Sequence, residues 1–180
     1  MPASSRDPDQ VALTLDDIRA VAAFAIASAE AVLPLFEAVH SDDPRPRAAL
    51  DGARTFAAGG PRLAALRVLA ADAHRAGRAA ATEAAREAAL SAGHAAAAAY
   101  LHPLAKATQV KHILGSAACA ARTIELQGDG DPSLGDREVA RAKDRASWAV
   151  VSVLRRYPPA GAGRGRTAEL MRDLDVALRE

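Results

Sequence analysis

The chain has 180 residues with 23 basic and 22 acidic side chains, and its net charge of +1 excludes the strongly basic footprint of many nucleic-acid-binding proteins. Half of the residues are apolar, only 3% are aromatic, and alanine is by far the commonest residue. Because alanine is the best helix former and carries little side chain, this composition favours closely packed helices and argues against long β-strands. The length suits one domain with a sizeable core.

Three further features predict a cytoplasmic protein. The single cysteine, Cys119, excludes an internal disulfide and fits a reducing compartment. The N-terminal stretch MPASSRDPDQ is polar and does not have the pattern of a signal peptide. Charged residues recur in the apolar stretches, so we expect no membrane span.

The apolar periodicity predicts a helical protein along its whole length. Residues 1–13 are expected to form a disordered lead-in, and residues 14–180 a single domain. Thr14 and Asp17 have the spacing of a capping box, which predicts that the first helix begins there, and Pro34 should kink or end it. The fold class is therefore all-α, a compact bundle of six or seven helices. The predicted helices span residues 15–38, 46–58, 61–89, 91–101, 104–126, 136–156 and 167–178.

In two stretches the sequence does not predict a single regular helix. The pattern over residues 61–89 fits either one long helix or two helices with a break near residues 77–82. Residues 158–165 are predicted to be a flexible linker. The sequence GAGRGRT, which ends at Thr167, resembles a phosphate-binding loop only in its glycines, because neither a lysine nor a strand precedes the threonine. We interpret it as part of the linker.

The most distinctive stretch is a charged corner, Asp-Asp-Pro-Arg-Pro-Arg, between the first two predicted helices. Asp42 or Asp43 can cap the second helix, and the prolines fix the backbone of its first turn. Two interpretations remain open: a rigid corner that is purely structural, or a preorganised charged surface for a partner. We favour a mixed case, in which Arg47 and Arg54 hold the helices together and Arg45 is exposed for the partner.

The histidines and the cysteine do not have the spacing of a catalytic or metal centre. His94 and His102 are eight residues apart, and His102 and His112 are ten apart, whereas helical ligands favour i,i+3 or i,i+4. His112 lies two turns before Cys119, about 10 Å along a helix, which is too far for a nucleophile and its base. We therefore expect no metal, no cofactor and no catalytic residue, and we interpret Cys119 as a buried thiol.

Several segments carry a resemblance to a known family. They are residues 32–54 (VLPLFEAVHSDDPRPRAALDGAR), residues 91–100 (SAGHAAAAAY), residues 112–121 (HILGSAACAA) and residues 153–158 (VLRRYP). In these segments the chain resembles the Imm-5-like immunity proteins of bacterial polymorphic toxin systems.

The resemblance implies an all-α protein, not an enzyme, that protects its own cell by binding and neutralising a cognate toxin. It nominates residues of two kinds. The candidate partner-binding residues are Asp43, Arg45, Arg47 and Arg54. The candidate buried or pocket polar residues are His94, His102 and His112.

Other functions stay open beside this one. The main alternative is a helical bundle that binds a small molecule or a metal, including an enzyme, since bundle interiors host such sites. A nucleic-acid-associated protein is the weakest hypothesis, because the chain lacks a basic stripe with interleaved aromatic residues. The expected partner is a toxin protein rather than a membrane, and a homodimer is left open. The net charge of +1 does not favour a basic nuclease as the toxin.

Overall fold

The computed structural model describes residues 10–180, and within them the chain is all-α, as predicted. The only β-type pairing in that range is a single antiparallel bridge between Gln10 and Leu104. Residues 10–180 form eight α-helices where six or seven were predicted. They are α1 (Leu15–Glu37), α2 (Arg45–Ala57), α3 (Ala65–Arg78), α4 (Glu83–Ala97), α5 (Val110–Gln127), α6 (Pro132–Arg145), α7 (Trp148–Leu154) and α8 (Arg166–Arg179).

The predicted lead-in falls largely outside the described residues, but its last four residues are ordered against the domain. The Val11 N–H donates to the Pro103 carbonyl at 2.8 Å, and the Ala12 carbonyl accepts from Arg156 at 2.8 Å. Val11 and Leu13 pack against the core. The folded unit therefore begins by residue 10 rather than at residue 14.

Helix α1 begins with the predicted capping box. The Asp17 N–H donates to the Thr14 hydroxyl, and the Thr14 N–H donates to the Asp17 carboxylate. The same carboxylate accepts from Arg156 of the segment after α7 at 2.7 Å, which fixes the start of α1 to the far end of the chain. Pro34 lies inside the helix, which ends one turn later at Glu37.

The alanine-rich middle of the chain divides differently from the prediction. Of the two alternatives for residues 61–89, two helices are correct, because Thr82 has an extended backbone and its hydroxyl accepts from the Ala85 N–H to start α4. A separate helix over residues 91–101 is wrong. Helix α4 runs through to Ala97 and closes with one 3-10 turn. The prediction failed here because a run of alanines carries no signal for where a helix breaks.

The predicted helix over residues 136–156 is also two helices. The Asp131 carboxylate accepts from the Ser133 N–H, so α6 begins at Pro132 and not at residue 136. After α6 ends at Arg145, Ser147 caps a new helix by accepting from the Val150 N–H. In both cases a short polar side chain satisfies the free N–H groups of a helix start, and the chain changes direction there.

Helix α4 lies at the centre of the bundle, where it packs on α1, α2, α3 and α5. Its buried positions are mostly alanine, glycine and serine, which let neighbouring backbones approach closely. At the centre, the Ser116 hydroxyl of α5 donates to the Ala25 carbonyl of α1 at 2.7 Å. The Ser116 hydroxyl has only this one proton, so Ser91 of α4 is the donor between the two serines. The Ser91 hydroxyl lies 2.9 Å from both the carbonyl oxygen and the hydroxyl oxygen of Ser116.

Helix α1 is the one helix in the described range that is long and apolar enough to cross a membrane by length and composition. The expectation that charges interrupt every apolar stretch is wrong for this helix. In the structure, 56% of that stretch is buried inside the molecule, with Val21, Ala25 and Val32 fully covered by other helices. This is the burial of a central core helix.

Gly93 of α4 tests this close packing. A Cβ at that position would lie 2.5 Å from the His74 Cδ2 of α3 and 3.2 Å from the Ala70 carbonyl. We expect Gly93→Ala to lower the free energy of unfolding by about 1–3 kcal/mol, the usual cost of overpacking. Urea unfolding would measure the change, and Gly161→Ala, where nothing lies within 4 Å, is the matched control. Equal stability of the two variants would contradict the close packing.

Candidate functional site

The charged corner between α1 and α2 is rigid. After α1 ends, the His40 ring stacks on Phe36 with 4.9 Å between the ring centroids. The His40 Nε2 accepts from the Ala81 N–H at 3.0 Å, which ties the corner to the turn before α4. Pro46, in the first turn of α2, is buried. The corner is thus held by packing and by a hydrogen bond to a distant segment.

Two arginines of α2 reach back across the corner to α1. Arg47 binds Glu37 bidentately, with Nε–Oε1 at 2.8 Å and Nη2–Oε2 at 2.7 Å. Arg54 binds Glu30 at 2.7 Å and also Asp51 of its own helix at 2.6 Å. All five side chains are partly exposed, so each pair contributes modestly to stability. This geometry holds α2 against α1.

Arg45 and Asp43 form a local pair at the start of α2. The Arg45 side chain donates to the Asp43 carboxylate at 2.8 Å and 2.6 Å, and the Arg45 N–H donates to the same group at 3.1 Å. These bonds, first of all those from the Arg45 side chain, hold the pKa of Asp43 below its usual value. Neighbouring Asp42 is exposed and makes no ion pair with any described residue. Val39 beside it is 48% exposed.

Three histidines from different helices gather on the other side of α4. The rings of His74 (α3) and His94 (α4) meet edge to face at a centroid separation of 4.8 Å. Each ring lies over a glycine: a Cβ at Gly93 would meet the His74 ring, and one at Gly115 would lie 3.1 Å from the His94 ring. His112 of α5 bonds the Ala97 carbonyl at 3.0 Å through Nδ1. Within residues 10–180, no group of three His, Cys, Asp or Glu residues could hold a metal ion.

His102 does not belong to this group, so the expectation that it is a buried or pocket residue is wrong. It is exposed in the loop before α5, where its N–H donates to the Gln109 side chain and its Nδ1 accepts from the Leu104 N–H. Its carbonyl accepts from the Tyr157 hydroxyl at 2.8 Å. Partial burial raises the pKa of Tyr157 to about 12. His74, which was not nominated, takes its place beside His94 and His112.

The fold lowers the pKa of each of the three clustered histidines and so favours their neutral forms. Burial lowers the pKa of His94 well below its ordinary 6.5, and the nearby His74 and Lys111 charges lower it further. Burial also lowers the pKa of His74, again with a contribution from Lys111. The pKa of His112 is lowered by burial against the opposing effect of its bond to the Ala97 carbonyl.

These shifts predict that the protein loses stability in mild acid. Above pH 6.5 both the folded and the unfolded chain hold these histidines mostly neutral. Below that value the unfolded chain binds protons that the folded chain does not, so the free energy of unfolding falls by up to about 1.4 kcal/mol per pH unit for the buried His94, and by less for the partly exposed His74 and His112. Urea unfolding at pH 7.5 and pH 5.5 would measure this. His94→Gln should flatten the dependence, and a dependence unchanged by it would contradict the assignment.

A cavity of about 540 Å³ lies between α4, α5 and the start of α8. Arg166 closes one side of it by binding Glu125 of α5 at 2.9 Å and Asp136 of α6 at 2.7 Å. The segment before α8 is also anchored, because the Ala160 N–H donates to Asp175 at 2.9 Å. Residues 158–165, predicted to be a flexible linker, thus bond to α8 at Ala160, and residues 163–165 form part of the cavity wall.

The cavity wall contains four polar groups that sequence reasoning did not bring together. Glu87 is 4% exposed and accepts from the Thr167 hydroxyl at 3.2 Å. Burial, and next the Glu87 carboxylate, raise the pKa of the Cys119 thiol well above its ordinary value, so the thiol is protonated. His94 and Lys111 line the same space. Glu87 and His94 are seven residues apart on α4, which places them on one face of the helix. This spacing was the sequence signal that could have predicted that they line one site.

One large aromatic side chain stands apart from both regions. Trp148, at the start of α7, is 72% exposed, and the Arg155 guanidinium lies 5.9 Å from its ring centroid. Arg155 also donates to the Arg179 carbonyl of α8 at 3.0 Å. Exposed tryptophan and arginine are typical of interface anchors, so this is a second candidate surface.

A comparison with protein families identifies the chain. A family model described as Imm-5 like putative immunity protein matches residues 12–149, which run from the start of α1 into α7 and include the whole charged corner. The chain belongs to this family. Membership in the Imm-5-like family confirms the resemblance carried by residues 32–54, 91–100 and 112–121 and supports an immunity-protein role. The fourth segment, residues 153–158, lies outside the match. Comparisons with curated proteins and with solved structures found no match.

Proposed function

We propose that this Imm-5-like protein binds a cognate toxin of a bacterial polymorphic toxin system in the cytoplasm and neutralises it by direct protein–protein contact. The observation that carries the proposal is the family match over residues 12–149. Proteins that act in this way need a preformed surface, because a surface that is already ordered loses little entropy on binding.

The corner surface, which we define as Val39, Asp42, Asp43 and Arg45, has this property. The ion pairs of Arg47 and Arg54 with α1 and the bond from the Ala81 N–H to His40 hold it in place. It combines an exposed apolar side chain with charged groups whose geometry is already set.

The charges of the corner surface indicate what kind of toxin surface fits. Asp43 and Arg45 neutralise each other, whereas Asp42 has no ion-pair partner among the described residues. The net charge that the corner surface offers is therefore negative, and the complementary toxin surface carries a lysine or arginine opposite Asp42. The basic group need be only local, so this agrees with a chain of net charge +1.

The test begins with the toxin encoded beside this protein's gene, co-expressed and purified with it. Asp42→Asn removes the unpaired negative charge of the corner surface while leaving the links from α2 to α1 intact. We expect it to weaken toxin binding about tenfold or more, mainly through faster dissociation, with the thermal melting midpoint unchanged. Isothermal titration calorimetry or surface plasmon resonance would measure the affinity.

Two control variants separate the surfaces. Arg47→Ala breaks the bond to Glu37 on α1, and it should lower the free energy of unfolding by no more than about 1 kcal/mol while leaving the affinity of the folded protein unchanged. Trp148→Ala probes the α7 surface. If Trp148→Ala abolishes binding and Asp42→Asn does not, the toxin binds at α7 and the corner assignment is wrong. If the purified toxin binds none of these proteins, including the unaltered one, the proposed function itself fails.

A further inference from the structure

The cavity between α4, α5 and α8 has a mouth lined with cations that the protein does not use. Lys111 and Arg164 both line it, both are exposed, and neither forms an ion pair with any residue in the range 10–180. The other three arginines of the wall face carboxylates: Arg122 binds Glu83 at 3.0 Å, Arg166 binds Glu125 and Asp136, and Arg86 lies 3.8 Å from Glu87. The free charge at the mouth is therefore positive.

Helix α8 begins at this cavity. Its first residue is Arg166, and Gly165, the residue before it, has a φ of +84° and offers no side chain to cap the first N–H groups. The start of a helix carries a partial positive charge and free N–H donors, which favour phosphate and carboxylate groups. The preceding Gly-Arg-Gly segment brings this backbone into the cavity wall.

A buried and unpartnered side chain points to a ligand independently of that helix start. His94 is only 9% exposed, it lines the cavity, and neither of its imidazole nitrogens is hydrogen-bonded to another described residue. Among the described residues, the fully enclosed side-chain nitrogens without a partner are those of Arg19 and His74, not those of His94. The His94 nitrogens therefore stay accessible from the cavity, where a polar group of a ligand can bond them.

The remaining wall sets the rest of the ligand's chemistry. The Glu87 carboxylate is buried there and accepts a hydrogen bond from the Thr167 hydroxyl. The cation closest to this carboxylate is the Arg86 guanidinium, with an N–O distance of 3.8 Å. A carboxylate in this position accepts hydrogen bonds from hydroxyl groups and repels a second anion. The volume of about 540 Å³ lies in the usual range for small-molecule sites and is far larger than a phosphate ion needs.

We propose that this cavity binds a small organic phosphate that bears hydroxyl groups, of the size of a sugar phosphate. The phosphate lies at the start of α8 beside Lys111 and Arg164, and hydroxyl groups of the ligand bond Glu87 and His94. The site is distinct from the corner surface. Its closing segment, residues 163–168, lies beyond the stretch matched by the family model, so it is not implied by family membership.

Calorimetric titration of the purified full-length chain, with no toxin present and at constant ionic strength, tests the proposal with three probes. Ribose 5-phosphate should bind saturably, inorganic phosphate should bind more weakly, and ribose should give no signal. In an imidazole NMR spectrum, ribose 5-phosphate should shift the His94 resonances and leave those of His40 and His102 in place. No saturable binding of either phosphate compound would overturn the proposal.

Matched variants identify the site. Lys111→Met and Arg164→Gln change exposed side chains without described hydrogen bonds, so folding should be spared, and each should weaken ribose 5-phosphate binding about tenfold. Lys106→Met and Arg62→Gln change cations that are also exposed but lie outside the cavity lining, and they should leave the affinity unchanged. Equal losses in all four variants would mean non-specific charge attraction and would overturn the site. Loss of toxin binding has no bearing on these measurements.

Discussion

The close approach of α4 to α5 and α1 is the constraint on which the rest of the structure depends. With few large aromatic side chains available, the core gains its burial by bringing helix backbones near one another through alanine, glycine and serine. The Ser91–Ser116–Ala25 bonds mark where three helices meet. A serine hydroxyl fits there because it is small and because its proton has a carbonyl to bond.

The same small residues make the space in which the polar groups lie. Gly93 and Gly115 leave room for the rings of His74 and His94, since side chains at these positions would overlap them. The histidine cluster is therefore a product of the packing, and burial favours the neutral forms of its members. On the other side of His94, the start of α8 does not cover α4 and α5 completely, and the cavity remains between them.

The two proposed binding regions differ in how the protein satisfies its charges. In the corner, nearly every arginine is paired with a carboxylate of the same chain, so the surface is stiff and almost neutral. At the cavity mouth, Lys111 and Arg164 form no ion pair with any described residue. Deeper in the cavity, the His94 ring forms no hydrogen bond with any described residue. Stiffness suits recognition of a folded protein, whereas unused donors around an enclosed space suit a small anion.

The sequence by itself determined the helical fold, the start of α1 at Thr14 and the corner that carries the family signature. These depend on local chemistry: periodicity, capping side chains and prolines act within a few residues. Only the tertiary structure decided that His74 rather than His102 joins His94, that residues 163–165 form a wall, and that α4 continues to Ala97. Alanine fits a helix almost anywhere, so its pattern carries little information about which residues distant in the chain will meet.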